Sequence, residues 1–222
     1  MSPRMQRRLW RHHLPLALLS AGSIFILYVT RPYPDVITRL SFSTAWPGLV
    51  LLAVTLIIGP WRTLRGRAPV LSLDLRRDIG IWAGIVSVAH AGIGQCVHLR
   101  GRPWLYYVYE KTQTHLIPIR HDMFGFSNFT GLFAALLLLA LLATSNDAFM
   151  RKLGGREWKS LQRWNYVCSG LTALHTFGYL IGIESLKWPS IATASACVAL
   201  AALLQWMGWR RRVLLERAPN RC

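Results

Sequence analysis

Six apolar runs, at residues 14–30, 46–61, 78–98, 124–145, 161–183 and 189–209, constrain this chain more than any other feature. A helix needs about 20 predominantly apolar residues to cross the hydrocarbon core of a bilayer. Runs of that length, spaced by short charged stretches, predict an all-α polytopic membrane protein, a bundle of six transmembrane helices. The second run is short for a full crossing, but Trp46 and Trp61 stand at its ends, where aromatic rings anchor a helix at the interfaces.

Composition supports the same class. The chain is 53% hydrophobic and 16% charged, with 10 Trp in 222 residues, too apolar for an ordinary soluble domain. Its net charge of +17 raises the question of nucleic acid, but the cations are gathered on no single segment or face. They lie between the apolar runs, nineteen Lys and Arg on one side of the expected membrane and seven on the other. No nucleic-acid partner is therefore expected, and the positive-inside rule puts both termini in the cytoplasm.

The basic arm 1–13 followed by an apolar run has the form of a signal peptide, yet the run ends in VTRPYPD without a small-x-small cleavage site. A retained first helix is the expectation. Cys96, Cys168, Cys197 and Cys222 form no C-x-x-C pair, which argues against a zinc site and c-type haem attachment. No internal repeat is visible. The expected organisation is one domain, 1–222, with a cytoplasmic arm 1–13 and a cytoplasmic tail 210–222.

Within these spans two ionisable residues stand out, His90 and His175. An imidazole in hydrocarbon is costly, so it marks a function and needs a partner. Arg77 to His90 is thirteen residues, as is Gln162 to His175. On a helix that is a rise of roughly 20 Å, which predicts two rings at one depth in the outer half of the membrane. Two facing imidazoles are what a six-coordinate haem iron requires. Their helix neighbours are small: Ala83, Val86, Ser87, Gly94 and Val97 around His90, and Cys168, Leu171, Thr172, Gly178, Tyr179 and Gly182 around His175. Small residues serve close helix packing in membranes; they also leave room for a flat macrocycle. Metal transport is not expected, because no Asp or Glu is read inside a span.

The segment TSNDAFMRKLGGREWKSLQRWNYV…TALH, with TLRGRAPVLSLDLRRDIGIWAGIVSVAH before it, resembles the ferric-reductase-type transmembrane domain. Within that family it is most similar to the haem-binding membrane subunits of bacterial periplasmic methionine sulfoxide reductase systems, and more distantly to the membrane part of NADPH oxidases. The likeness covers roughly residues 46–183. It implies a bacterial inner-membrane protein with b-type haem held by His90 and His175, passing electrons across the membrane. Donors in the family are flavin, quinol or a fused reductase domain. This chain departs from the pattern at Gln162, near which the family carries a second histidine, so one haem is expected. No Gly-rich nucleotide-binding segment is present within or after the spans, so any flavin or nicotinamide chemistry is expected from a partner.

The other polar candidates have simpler readings. His12 and His13 sit at an interface. His98, His115 and His121 belong to the outer end of the third helix and the outer loop, as exposed residues or as a surface that covers the haem, docks an acceptor or binds a metal ion. Arg76 and Arg77 could neutralise haem propionates only on the cytoplasmic side. The RKLGGREWK loop faces lipid headgroups or a cytoplasmic donor. The function expected is relay of electrons from a quinol or a cytoplasmic flavin reductase to an extracytoplasmic acceptor. A haem-free adaptor and a haem-binding sensor or assembly subunit are the alternatives.

Overall fold

Helices carry the chain from end to end in the computed structural model, which describes residues 3–31, 33–66, 73–99, 101–110, 117–183 and 187–217. His115, Cys222 and the end of the basic tail lie outside the described residues. In order, the α-helices are α1 (Pro3–Arg8), α2 (Leu14–Thr30), α3 (Val36–Arg65), α4 (Leu73–Gly94), α5 (Met123–Ala143), α6 (Asp147–Gln162), α7 (Asn165–Gly182) and α8 (Trp188–Arg217). The only β pairing among the described residues is an isolated bridge between Val108 and Ile119 in the connection between α4 and α5.

Among the described residues four stretches are long and apolar enough to cross a membrane: Met5–Thr30, Val36–Arg65, Met123–Ala143 and Trp188–Arg217. Their outward side chains, such as Leu18, Leu19, Phe25, Phe133 and Leu203, are exposed large hydrophobics that water would not tolerate in such number. The less apolar helices α4 and α7, which carry the two histidines, pack among them. α3 lies against α4 and α8, α5 against α7 and α4, and α2 against α3.

Helix ends follow local chemistry. Asp35 caps α3, its Oδ2 accepting from the Thr38 backbone N–H at 2.9 Å. This start lies ten residues before the expected second span. Residues such as Arg39, Ser41, Ser43 and Thr44 dilute the hydropathy there, and the fold turns several of them inward. Asp122 caps α5 through the Gly125 N–H at 2.7 Å. The Arg120 guanidinium bonds both Asp122 oxygens and holds this carboxyl below the usual carboxylate range.

Inside α3, Pro60 has no N–H for the Leu56 carbonyl, so that oxygen needs another donor. The Gln205 amide of α8 supplies one at 2.6 Å. One residue earlier, the Thr55 carbonyl accepts from Arg76 Nε at 3.0 Å, and Asn165 Nδ2 reaches Thr55 Oγ1 at 3.3 Å. The half of the bundle away from the outer loop is thus cross-linked by polar side chains.

Two expectations are corrected here. The first is that no carboxylate lies inside a span: Asp78 sits within α4 and is completely buried. The N-terminal arm compensates it. Pro15 removes a backbone donor near the start of α2, and the turn before it, Leu9–His13, relaxes to π geometry. Arg8 then binds both Asp78 oxygens, His12 Nδ1 lies 2.7 Å from Oδ2, and His13 Nε2 lies 3.3 Å from Oδ1. His12 and His13 are therefore structural partners of α4 and not simply interfacial.

The second correction concerns the basic 4–5 connection, expected as a loop. It is helical, α6, broken at Gly154, whose φ of 77° no helix contains. Gln162 is the last residue of α6, and α7 begins at Asn165 after a turn at Arg163 and Trp164. The thirteen-residue step from Gln162 to His175 is thus not one helix, whereas the step from Arg77 to His90 is.

Candidate cofactor site

His90 is four residues from the end of α4, and His175 lies in the middle of α7. The fold brings them together. Their ring centres are 6.2 Å apart and their planes cross at 68°. Each ring is held by a neighbouring helix through the same kind of bond. His90 Nδ1 is 3.0 Å from the Ser41 carbonyl oxygen on α3, with Thr44 Oγ1 at 3.4 Å, and His175 Nδ1 is 2.8 Å from the Ser127 carbonyl oxygen on α5.

These bonds decide the tautomer. A carbonyl oxygen can only accept, so each Nδ1 must carry the hydrogen. Each Nε2 is then left with its lone pair, the form in which imidazole binds a metal. An Nδ1–H fixed on a backbone carbonyl is the usual way a protein orients such a ligand.

Helix α5 comes close enough to grip His175 because of one glycine. A Cβ at Gly131 would lie 2.5 Å from His175 Nδ1 and 2.8 Å from Cε1. Gly178 of α7 is equally tight: a Cβ there would stand 2.1 Å from Ser127 Oγ. Ser127 and Gly131, one turn apart on α5, therefore form the surface against which the His175 ring is set. Gly131→Ala must push the ring or α5 aside and break the bond to Ser127. Loss of such an orienting contact weakens metal-ligand sites about 10–100-fold. Cofactor content and visible spectrum of the purified variant would check this, with a depleted or spectrally altered protein as the expected result.

Both histidines line a cavity of ≈ 470 Å³ bounded by α3, α4, α5 and α7, within the roughly 300–1,000 Å³ typical of cofactor pockets. Its wall is apolar through Leu49, Leu132, Ala135 and Leu138, and turns polar toward the connection between α4 and α5 at Thr38, Gln95, His98, Asn128 and Tyr179. Among the described lining residues there is no Asp, Glu, Lys or Arg. The small residues picked out around the histidines divide between two jobs. Ser87, Gly94, Val97 and Thr172 line the cavity, whereas Ala83, Val86, Cys168, Gly178 and Gly182 serve packing.

A haem group fits these residues. Metal–imidazole bonds of roughly 2 Å on either side, with roughly 1 Å more to each ring centre, require about 6 Å between rings. The observed 6.2 Å meets that requirement. Among the described residues no group of three or more His, Cys, Asp or Glu side chains could hold a metal ion. Two imidazole nitrogens would suit an iron whose remaining ligands come with the cofactor.

His98 lies beyond the end of α4, exposed on one side and lining the cavity mouth on the other. Its ring stacks on Tyr179 at 6.2 Å and 23°, and Tyr179 in turn lies 5.0 Å from the His175 ring and donates to Asn128 Oδ1 at 2.8 Å. Fully buried Tyr106 ties the outer loop to α4, accepting from His98 N at 2.8 Å and donating to the Gly94 carbonyl at 3.1 Å. His121 is exposed beside the Tyr109 ring, away from the cavity. Arg76 and Arg77 are engaged at the opposite end, Arg76 with Thr55 and Arg77 with Asp147 at 2.6 Å.

Sequence reasoning missed Ser41, Thr44, Ser127 and Gly131. Thr44 and Ser41 were within reach, since Pro34-Asp35 before Val36 signals an earlier helix start. Backbone acceptors on other helices leave no such trace.

No protein-family model matches the chain. Among curated proteins it is 31% identical, over 199 residues, to the protein-methionine-sulfoxide reductase heme-binding subunit MsrQ of Ralstonia nicotianae, covering 88% of this chain and 83% of the relative. It is 30% identical to the protein of the same name from Xanthomonas axonopodis pv. citri over 80% of this chain and 72% of the relative. With that of Bordetella pertussis it shares 34% identity over 74% and 72%. On this likeness, which runs through both histidine helices and most of each relative, the chain belongs to the MsrQ family of heme-binding subunits of protein-methionine-sulfoxide reductase.

Proposed function

We propose that this chain is a single-domain, six-span membrane protein that holds one b-type haem by His90 and His175 and relays electrons to an extracytoplasmic reductase. The observation that carries the reading is the facing pair of imidazoles, each with its Nδ1–H on a backbone carbonyl of a neighbouring helix. The haem would supply one-electron chemistry. His90 and His175 would hold the group through their Nε2 nitrogens, while the apolar wall excludes water and the polar mouth opens toward the outer loop. The names of the relatives support haem as the cofactor and a protein-methionine-sulfoxide reductase as the system served.

One haem, not two, is supported by what fills the other half of the bundle. Arg77 is paired with Asp147, Gln162 Nε2 donates to Ser145 Oγ at 3.2 Å, and Arg76 and Asn165 are committed to Thr55. The two imidazoles at that end, His12 and His13, are engaged by the Asp78 carboxylate, and the other groups offer iron no imidazole. The electron then comes from a quinol approaching within the membrane, in preference to a cytoplasmic flavin reductase acting across the filled half.

Membranes from an overexpressing strain should give a b-type difference spectrum, dithionite-reduced minus oxidised. A flat spectrum would favour the haem-free adaptor, and haem without donor-dependent reoxidation would favour a sensor. Orientation is a separate expectation, resting on nineteen cations against seven. A C-terminal fluorescent fusion should glow in the cytoplasm of a bacterial host and a phosphatase fused near Lys111 should be active outside. The reverse pattern would put the histidine pair near the cytoplasmic face.

A further inference from the structure

Helix α6 buries no residue. It leaves α5 and returns to α7, two helices that pack side by side, so its two halves, bent at Gly154, run out and back. Three contacts at its base pin it. Asp147 pairs with Arg77 at 2.6 Å, Trp158 Nε1 donates to the Thr144 carbonyl at 2.9 Å, and Gln162 bonds Ser145. Residues 151–157, at the bend between the two halves, are all exposed.

The exposed surface has two kinds of side chain. Arg151, Lys152, Arg156, Lys159 and Arg163 are all solvent-facing, against the single carboxylate of Glu157. Interleaved with them, Phe149 is 40% and Leu153 38% exposed. A helix with cations on one side and exposed apolar residues on the other suits the boundary of a bilayer. There the apolar groups enter the acyl boundary while Arg and Lys extend to phosphate level.

We infer that α6 is a binding site for anionic phospholipid headgroups, with Arg151, Lys152, Arg156 and Lys159 as the phosphate contacts and Phe149 and Leu153 as the membrane anchor. The choice of lipid rests on three features: the excess of positive charge, the exposed apolar pair, and a base tied to the ends of α4 and α5, where the bilayer surface meets the bundle. A protein partner would leave the apolar pair unexplained unless it offered both an acidic and an apolar patch. The inference does not depend on haem.

Hydrogen exchange of the intact protein in nanodiscs tests it. Discs of phosphatidylcholine alone are compared with discs of phosphatidylcholine and phosphatidylglycerol in equal parts. Amides of residues 149–160 should exchange roughly fivefold slower or more in the anionic discs, since each basic group near an anionic surface adds its own attraction. That protection should vanish in about 1 M salt, where the screening length falls to about 3 Å. The combined variant Arg151→Gln, Lys152→Gln, Arg156→Gln, Lys159→Gln should exchange alike in both discs. Equal exchange of the unmodified protein in the two lipids, or protection that survives high salt, would overturn the inference.

Discussion

Replacing either His90 or His175 with alanine is expected to leave the purified protein without bound haem, at least about a tenfold loss. Outer-contact losses alone weaken metal sites by 10–100-fold, and removal of the ligand atom itself is the larger change. The two variants should behave alike although the residues are 85 apart in sequence, because the rings face each other at 6.2 Å across one cavity. His121→Ala is the natural control, since that side chain is exposed and stands away from the cavity. Haem spectra of the three variants, with thermal unfolding to confirm that each is folded, decide the matter. Normal haem content in both His90→Ala and His175→Ala would remove these residues from the site.

How much of this was legible beforehand depends on the kind of interaction. His90 and His175 declared themselves because an imidazole in an apolar run needs a reason. The two rings do come together, although the count from Gln162 crosses a break at Arg163 and Trp164. What holds each ring was not legible: the Ser41 and Ser127 carbonyls belong to other helices, and any residue has a carbonyl. The basic connection read as a loop because Gly154 and Gly155 interrupt it. Gly154 does break the helix, but only at that point.

The second large effect is expected at the other end of α4. Asp78 is fully buried and faces Arg8, whose side chain is 13% exposed, together with His12 and His13. Asp78→Ala takes from Arg8 its closest counter-charge and leaves it only the longer pairing with Asp147 at 3.9 Å. Removing one partner of a buried ion pair costs about 3–5 kcal/mol, a drop of roughly 10 °C in Tm for a chain of this size. Thermal unfolding in detergent measures the drop, and trypsin should cut faster after Arg8 as the arm comes loose. Arg8→Met combined with Asp78→Leu should recover much of the loss, because replacing both charges by apolar groups removes the desolvation penalty as well. An unchanged Tm for Asp78→Ala would show that the arm does not lock onto α4.

No sequence rule pointed to this lock. Arg8 and Asp78 are seventy residues apart, and the arm read as an ordinary positive-inside flank. The π turn ahead of Pro15 accompanies Arg8, His12 and His13 converging on one carboxylate. By contrast, the apolar runs predicted six spans; among the described residues four helices are long and apolar enough to cross a membrane, and α4 and α7 lie close to the third and fifth runs. α4 and α7 are less apolar because they carry the chemistry: Arg76, Arg77, Asp78 and His90 on one, Asn165 and His175 on the other.

The central claim, one haem between His90 and His175, is tested most directly by the haem-to-chain ratio of the unmodified protein. Haem extracted as the pyridine complex and protein measured by amino-acid analysis give that ratio on one sample. A value near one, with the low-spin spectrum of two imidazole ligands, is the expected result. A value near two would mean that the half of the bundle filled by Arg77, Gln162 and Thr55 holds a second haem, and a value near zero would contradict the site itself.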